Sequence, residues 1–430
     1  MRASTPSIQL AYGIGCVHHT QGRFSPLTEA CPPTNLIREV RSSPMAMLRR
    51  APSAAQRLVH SSAGPSVLTR RKLTVALTEA RDVAELLALH AAHRESFNHF
   101  HFGAIWSRLG FISRQGGLFC LSAQSLIYEH REPLRELETH SLDWLRQPDS
   151  VSCFRELATV SHGAAKSGMA SSALFDALAV ASTAGVDGFT AQGLCNVAWA
   201  FATVGHPSPV LFDAVASAAA RMIAAYEAYE ADAVELLPRQ LSLLAWSFAL
   251  ADHVSPRLFS KSFVRRCEAA EWDSNSQLSQ LHQWQLWHSE HGLPRPLSAG
   301  LASHCEEAMT RQELSCSDMQ AEVRRVLTDL GLRPREEVVT DEGYRLDFVV
   351  DIDGERVGLE VDGPQHFVTT TMEPNAVTHL KHRQLRRLSH WRIVVVPYFR
   401  WRDCEGSVGR QRRLLTRLLT QRGPIRLVQQ

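Results

Sequence analysis

The chain has 430 residues, a hydrophobic fraction of 44%, a charged fraction of 21% and a formal net charge of +2 at pH 7. This length predicts two or three domains, and the composition is that of a globular protein. No apolar run comes near the ~18 residues that a membrane span needs, so we expect no transmembrane segment. The 9 cysteines and 20 histidines contain no C-x-x-C pair and no zinc-ligand spacing, which argues against a disulfide scaffold or a zinc finger.

Residues 1–68 are rich in Arg, Ser, Pro and Ala, and their only acidic residues are Glu29 and Glu39. A helix beginning near Met45 would be basic on one side and apolar on another, through Leu48, Arg49, Arg50, Arg57 and Leu58. This pattern is typical of an organellar transit peptide, and the apolar core of a secretory signal is missing. We predict import into the mitochondrial matrix, with the chloroplast as the alternative. A disordered basic leader is the alternative interpretation of the segment.

From residue 74 to 308 the sequence is rich in Ala and Leu, has helical periodicity and repeats itself. The segment LCNVAWAFATVGHPSPVLF, from Leu194, aligns with LSLLAWSFALADHVSPRLF, from Leu241. A degenerate copy starts at Leu157, and residues 98–112 resemble a further one. Three copies carry Trp, His and Pro in register: Trp199, His206 and Pro209; Trp246, His253 and Pro256; Trp284, His291 and Pro294. Because one helix pair cannot bury its apolar face alone, we predict a solenoid of stacked helix pairs.

Within these repeats, the Trp side chains are predicted to pack in the core between helices. The recurring His side chains lie at helix ends or inter-helix turns, where we expect them to act as caps. Beyond the repeats, Ser317 and Gln320 form an S-x-x-Q capping box that begins a helix, and Gly331 ends it. The inward stripe of that helix is predicted to be Met319, Val323, Val326, Leu327 and Leu330.

The stretch from Tyr344 to Asp362 predicts a β-hairpin around Asp353-Gly354, the dipeptide that best supports a two-residue type I′ turn. Such a turn fixes the register of the two strands. One face would then be apolar, with Leu346 opposite Val361, Phe348 opposite Leu359 and Val350 opposite Val357. The other face would carry Arg345 opposite Asp362, Asp347 opposite Glu360 and Asp351 opposite Arg356. Two facing carboxylates repel each other, so we interpret the predicted Asp347–Glu360 pair as a mark of function.

Residues 375–389 are predicted to form a helix with Val377, Leu380, Leu385 and Leu388 inward. Its outer face is predicted to be basic: His379, Lys381, His382, Arg383, Arg386 and Arg387. A short buried strand follows from Arg392 to Val396 and is ended by Pro397. A last amphipathic helix is expected at about 408–420, with Arg410, Arg412, Arg413 and Arg417 outward.

The order hairpin, helix, strand, with acids on the hairpin, is the core of the restriction-endonuclease-like fold. The segments LDFVV, GLEVDGPQHF and LKHRQLRRLSHWRIVVVPYFRW resemble the RAP domain, an RNA-binding module that we expect over residues 317–421. The upstream repeats resemble the octotricopeptide and heptatricopeptide classes, which commonly precede RAP domains in organellar RNA factors. These resemblances imply an α+β protein, with an all-α helical-repeat solenoid followed by an α/β restriction-endonuclease-like (RAP) domain.

They also imply a protein that binds single-stranded organellar RNA, without a cofactor, in transcript processing, stability, rRNA maturation or translation. Further partners would be other RNA-processing or ribosome-assembly proteins. Basic side chains would contact phosphates and aromatic rings would stack on bases. The predicted contacts are Lys381, Arg383, Arg386, Arg387, Tyr398, Trp401, Arg412 and Arg413.

The first alternative is a metal-dependent endoribonuclease, because nucleases of this fold hold Mg²⁺ or Mn²⁺ with two acids, here Asp347 and Glu360. Such enzymes also use a lysine in an E-x-K tripeptide, and Asp362 stands at that position, which argues against hydrolysis. Lys381 could replace the missing lysine, and His366 could act as a general base. A protein–protein scaffold is the second alternative.

Overall fold

The computed structural model describes residues 69–115, 127–229, 235–311, 317–368 and 371–421. The predicted transit peptide, residues 1–68, lies outside the described residues. All the described residues belong to one compact unit.

Paired helices fill the first part of the described chain, and their ends follow from local chemistry. Gly168 and Gly205 end two of them in the left-handed conformation, and Pro209 and Pro238 stand in the first turn of two others. The helices are α1 (Arg70–Glu79), α2 (Val83–His93), α3 (His99–Gln115), α4 (Arg131–Leu145), α5 (Phe154–Ser167), α6 (Ser172–Ala184), α7 (Ala191–Val204), α8 (Pro209–Glu227), α9 (Pro238–Leu250), α10 (Lys261–Ala269), α11 (Asn275–Glu290) and α12 (Ala299–Thr310).

These helices stack in two layers. The odd-numbered helices α1 to α11 each pack on the next odd-numbered helix, and the even-numbered helices α2 to α10 do the same. Each helix pair therefore covers the apolar face of the next pair, as the sequence repeats predicted. The three recurring Trp side chains are buried, which confirms their predicted place in the core: Trp199, Trp246 and Trp284.

The recurring histidines connect successive helix pairs. In each copy the Nε2 atom of the histidine lies about 3 Å from an aspartate of the preceding copy, where we had expected only a helix cap. The pairs are His206–Asp176 at 3.1 Å, His253–Asp213 at 2.9 Å and His291–Asp252 at 2.9 Å. Since these aspartates are partly or largely exposed, each pair contributes modestly to stability.

The C-terminal part is a four-stranded mixed sheet with helices on both faces, which confirms the predicted α+β class. Its strands are β1 (Arg335–Val339), β2 (Arg345–Ile352), β3 (Glu355–Asp362) and β4 (Arg392–Pro397), in the order β1-β2-β3-β4. The pairs β1–β2 and β2–β3 are antiparallel and β3–β4 is parallel. The helices are α13 (Asp318–Asp329), α14 (Ala376–Ser389), α15 (Tyr398–Arg402) and α16 (Val408–Thr420). The edge strand β1 was not predicted from the sequence.

Two cores hold this sheet. On one face, α13 and α16 cover a cluster that includes Val323, Leu415, Phe348 and Val394. On the other face, Leu385 of α14 packs with neighbouring strand residues and with side chains of α11 and α12. The capping box of Ser317 and Gln320 begins α13 as predicted.

The hairpin register is confirmed only in part. Asp353 and Gly354 adopt positive φ angles of 52° and 83°, and the β2–β3 ladder runs from Ile352↔Glu355 to Phe348↔Leu359. Beyond Phe348 the predicted alternation is wrong, because Leu346 packs in the core on the opposite side from Phe348. The strand therefore bulges at the residue between them, Asp347, next to a left-handed residue on the adjacent strand β1.

Helix α14 lies between the sheet and the helix pairs, and it contacts α7, α9 and α11. Its Leu380 belongs to the core of the helix pairs, whereas Leu385 belongs to the core of the sheet. The prediction of one apolar and one solvated face is therefore wrong for this helix. His382, expected on the outer face, is buried, and Val377, expected inward, is 39% exposed.

Among the described residues, only α8 is long and apolar enough to satisfy a membrane-span criterion, with a mean hydropathy of 1.2. It packs against α6 and α10 through side chains that include Leu211, Phe212 and Val215. The core helix of a globular protein passes the same criterion, so this is weak evidence for a span.

Candidate functional site

A buried ion pair joins the sheet to α14. Lys381 donates from Nζ to Glu360 Oε2 at 2.7 Å and to the Arg345 carbonyl oxygen at 2.7 Å. Glu360 is 4% exposed and Asp362 is 1% exposed. Glu360 Oε1 and Asp362 Oδ2 have no hydrogen-bond partner among the described residues. The structure thus brings together three residues of the predicted nuclease set, the two acids Glu360 and Asp362 and the lysine Lys381.

This burial changes the acidity of the two carboxyl groups. Burial raises the pKa of Glu360 to about 8, the charges of Asp347 and Asp362 act in the same direction, and Lys381 opposes them. Burial likewise raises the pKa of Asp362 to about 7. Carboxyl groups with strongly shifted pKa values often mark functional sites, but buried ion pairs with a purely structural role have shifted pKa values too.

The predicted Asp347–Glu360 cross-strand pair is wrong. Asp347 accepts hydrogen bonds from Gln320 Nε2 and from the Val361 amide, both at 2.6 Å. It is therefore bound to α13, whereas Glu360 is bound to Lys381 of α14 on the other face of the sheet. The predicted Arg345–Asp362 pair is also wrong, because Arg345 donates to the carbonyl oxygens of Glu337 and Thr310 at 3.2 Å.

His366 completes the cluster at its edge. Its Nδ1 lies 3.6 Å from Asp362 Oδ1 and 3.2 Å from Thr378 Oγ1, and burial lowers its pKa. A magnesium or manganese ion fits this arrangement poorly, because the ammonium of Lys381 already occupies Oε2 of Glu360 and lies where a second cation would be repelled. In the described ranges, no three His, Cys, Asp or Glu side chains are placed to hold a metal ion.

Two of the arginines predicted to contact RNA instead attach α14 to the helix pairs. Arg383 binds Glu290 through Nε at 3.1 Å and Nη2 at 3.0 Å, and it donates to the Ala249 carbonyl at 2.7 Å. Arg387 lies 3.4 Å from Asp252. Arg386 is exposed and has no ion pair with a described residue, so its proposed RNA contact stays a prediction.

The two predicted stacking rings are buried. Tyr398 is 8% exposed and Trp401 is 4% exposed, and Trp401 Nε1 donates to Glu322 at 2.8 Å. Neither ring presents a face on which a base could stack. Trp391 is half-buried, and the Arg356 guanidinium lies 5.4 Å from its ring centroid.

A face of exposed arginines lies on the opposite side of the sheet from α14. Arg410, Arg413 and Arg417 are spaced three and four residues apart, so they form one line along α16. Arg412 donates to the Asp329 carbonyl at the end of α13, and Arg325 of α13 lies one turn before Asp329. We call Arg325, Arg410, Arg412, Arg413 and Arg417 the arginine face; all five are exposed, and none pairs with a carboxylate in the described part of the chain.

Hydrogen bonds from Arg410 to the Glu405 carbonyl and from Arg412 to the Asp329 carbonyl, both at 3.3 Å, explain part of the arginine face. They leave its charge without a carboxylate counter-ion among the described residues. Like charges three and four residues apart destabilise a helix, and acids at neighbouring positions would relieve the repulsion. Sequence reasoning found the four arginines of α16 but missed Arg325, although the outer positions of the predicted α13 stripe would have indicated it.

Residues 359–413 match the family model of the RAP domain. The matched segment runs from β3 to the first half of α16, so it contains Glu360, Asp362, Lys381, Arg412 and Arg413. RAP domains are generally associated with RNA binding. The match therefore agrees with the resemblance read from the sequence for this segment.

Proposed function

We propose that the protein binds single-stranded RNA, with the arginine face following the phosphates. The observation that carries this proposal is a row of exposed arginines without counter-ions, within and next to the segment that matches the RAP domain. Arginine binds phosphate through a planar, bidentate fork and releases the counterions of the RNA on binding.

The proposed cellular location and the proposed role in organellar RNA metabolism rest on the sequence. Residues 1–68 support import into mitochondria, with plastids as the alternative, and the helix repeats support a role in reading organellar transcripts. The proposed role is in transcript processing, stability, rRNA maturation or translation. A fluorescent protein fused to residues 1–68 tests the import: mitochondrial fluorescence is expected, and cytosolic fluorescence would contradict it.

The geometry supports RNA binding better than the endonuclease alternative. Hydrolysis would need Asp347 and Glu360 to face one cation, and helices on opposite faces of the sheet hold them. The lysine of the cluster neutralises one of these acids. Incubation of the protein with labelled RNA and Mn²⁺ tests the alternative, and cleavage that disappears in Asp347→Ala would establish it.

The RNA-binding proposal is tested by fluorescence anisotropy with a labelled single-stranded RNA. The variant carries Arg410→Ala, Arg413→Ala and Arg417→Ala, and we expect its Kd to rise by more than tenfold at low salt. The control carries Arg135→Ala, Arg146→Ala and Arg311→Ala, which remove the same charge from arginines already paired with acids. Equal affinities for the two triple variants would overturn the proposal.

A further inference from the structure

A cleft of about 380 Å³ opens where the sheet extends beyond α14. It lies at the edge strand β1 and the end of α14. The residues that bear on its chemistry are Arg335, Thr340, Asp341, Glu355, Arg356 and Trp391. This volume lies in the range of small-ligand sites, about 300–1,000 Å³.

One wall of the cleft is an aromatic ring with a guanidinium over one of its faces. Trp391 packs partly against the core of the sheet, and it remains half-exposed on the cleft side. The Arg356 guanidinium lies 5.4 Å from the ring centroid. An indole and a guanidinium plane are the two surfaces on which unstacked RNA bases pack.

Another wall carries a polar group that has no partner. Thr340 is 7% exposed, and its Oγ1 has no hydrogen-bond partner among the described residues. A buried hydroxyl without a hydrogen bond costs free energy. Asp341 follows it, is exposed and also lines the cleft. A ligand with donors and acceptors on its edge would pair with the carboxylate, and a rotation of the Thr340 side chain would bring the hydroxyl to the same edge.

One side chain, Arg392, connects the cleft to the end of α16. Arg392, the residue after Trp391, donates to the carbonyl oxygens of Leu419 and Gln421 at the end of α16. The same side chain pairs with Glu355, which lines the cleft, at 3.2 Å. The line of arginines on α16 therefore ends beside the cleft.

From these contacts we infer that the cleft takes one unstacked base of single-stranded RNA, an inference that rests on the proposed RNA-binding function. The base stacks on Trp391, its edge bonds to Thr340 and Asp341, and Arg335 pairs with the adjoining phosphate. The backbone continues along the arginine face of α16.

The test combines a protein variant with a modified RNA. Trp391→Ala and the parent are titrated with a labelled oligoribonucleotide and with a series in which one position at a time is abasic. We expect Trp391→Ala to weaken binding about tenfold, because stacking on an aromatic ring contributes about that factor per base. One abasic position should weaken the parent by a similar factor and should have no effect on Trp391→Ala.

Two further variants separate stacking from folding. Trp391→Phe keeps a ring and should restore most of the affinity. Thr340→Val, which removes the hydroxyl, should weaken binding of the intact RNA but not of the RNA that is abasic at the bound position. Abasic effects of equal size in the parent and in Trp391→Ala would overturn the inference. If the triple arginine variant loses affinity while Trp391→Ala does not, only the base site is wrong. If the parent binds no RNA, the proposed function itself fails.

Discussion

Arg383 of α14 forms a bidentate ion pair with Glu290, the last residue of α11, and the side chain of Glu290 is fully buried. A carboxylate at a helix C-terminus is unfavourable by itself, because the helix dipole is negative there. The arginine compensates both the charge and the lost hydration, and it also donates to the end of α9. This contact holds the RAP-matched segment to the helix repeats, so the sheet and the repeats are expected to unfold together.

Replacing Arg383 by Ala should therefore cost stability rather than RNA affinity. The buried Glu290 would lose its partner, and breaking a buried pair from one side costs about 3–5 kcal/mol. Urea unfolding measures this change. Arg386→Ala, three residues further along the same helix at an exposed position, should change stability by less than about 0.5 kcal/mol. A variant at Arg383 as stable as the parent would contradict the proposed anchoring role.

The second prediction concerns pH and the buried Glu360. Its pKa is about 8 in the folded protein against an ordinary value of 4.5, so between these values the folded chain holds a proton that the unfolded chain has lost. Raising the pH then favours unfolding. From pH 6.5 to 8, above the ordinary histidine pKa, Glu360 should reduce the free energy of unfolding by up to about 1.4 kcal/mol per pH unit. In Glu360→Gln this slope should become smaller, and an unchanged slope would show that the carboxyl group is already ionised.

Close packing of two repeat helices gives the third prediction. A Cβ atom on Gly163 of α5 would lie 2.4 Å from the backbone oxygen of Trp106 in α3, and backbone atoms cannot move aside without separating the helices. Gly163→Ala should therefore destabilise the protein by about 1–3 kcal/mol or more. Gly300→Ala is the matched control, because a Cβ there meets nothing within 4 Å, and it should stabilise α12 by up to about 1 kcal/mol. Thermal unfolding of both variants measures the difference, and equal melting temperatures would show that α3 and α5 do not approach so closely.

The fourth prediction concerns salt. If Arg410, Arg413 and Arg417 each neutralise one phosphate, removing all three should make the plot of log Kd against log salt less steep by about 2, since each contact on a single strand contributes about 0.7. Affinities measured from 50 to 300 mM KCl give the slope. The control triple variant at Arg135, Arg146 and Arg311 should keep the parent slope. A parallel displacement without a change of slope would mean that the arginines act on folding and not on phosphates.

Much of the local structure was predictable, because short-range chemistry determines it. The capping box at Ser317 began α13, Asp353-Gly354 made the two-residue turn, and Pro397 ended β4, each through backbone preferences of a few residues. The in-register tryptophans likewise indicated buried positions, since a repeated apolar residue in stacked helices has to face the core. The match to the RAP domain agrees with the motifs that indicated it.

The candidate site was predicted less well, because long-range contacts decided it. Glu360 and Lys381 of the predicted set do lie in contact, yet the bulge at Asp347 depends on the adjacent strand β1, which local patterning did not reveal. The rings of Tyr398 and Trp401 follow a strand that other elements cover on both faces, so their burial could not be read from their own segment.

By itself, the sequence determined the helix repeats, the hairpin turn and the basic composition of α14 and α16, since these depend on periodicity and on residues close in the chain. Only the tertiary structure decided which charges are available to a ligand. Arg383 and Lys381 are bound to buried carboxylates 93 and 21 residues away in the chain, whereas the arginines of α16 remain exposed. The physical reason is that the cost of burying a charge depends on the partner that meets it in space, and that partner is set by how the sheet packs on the repeats.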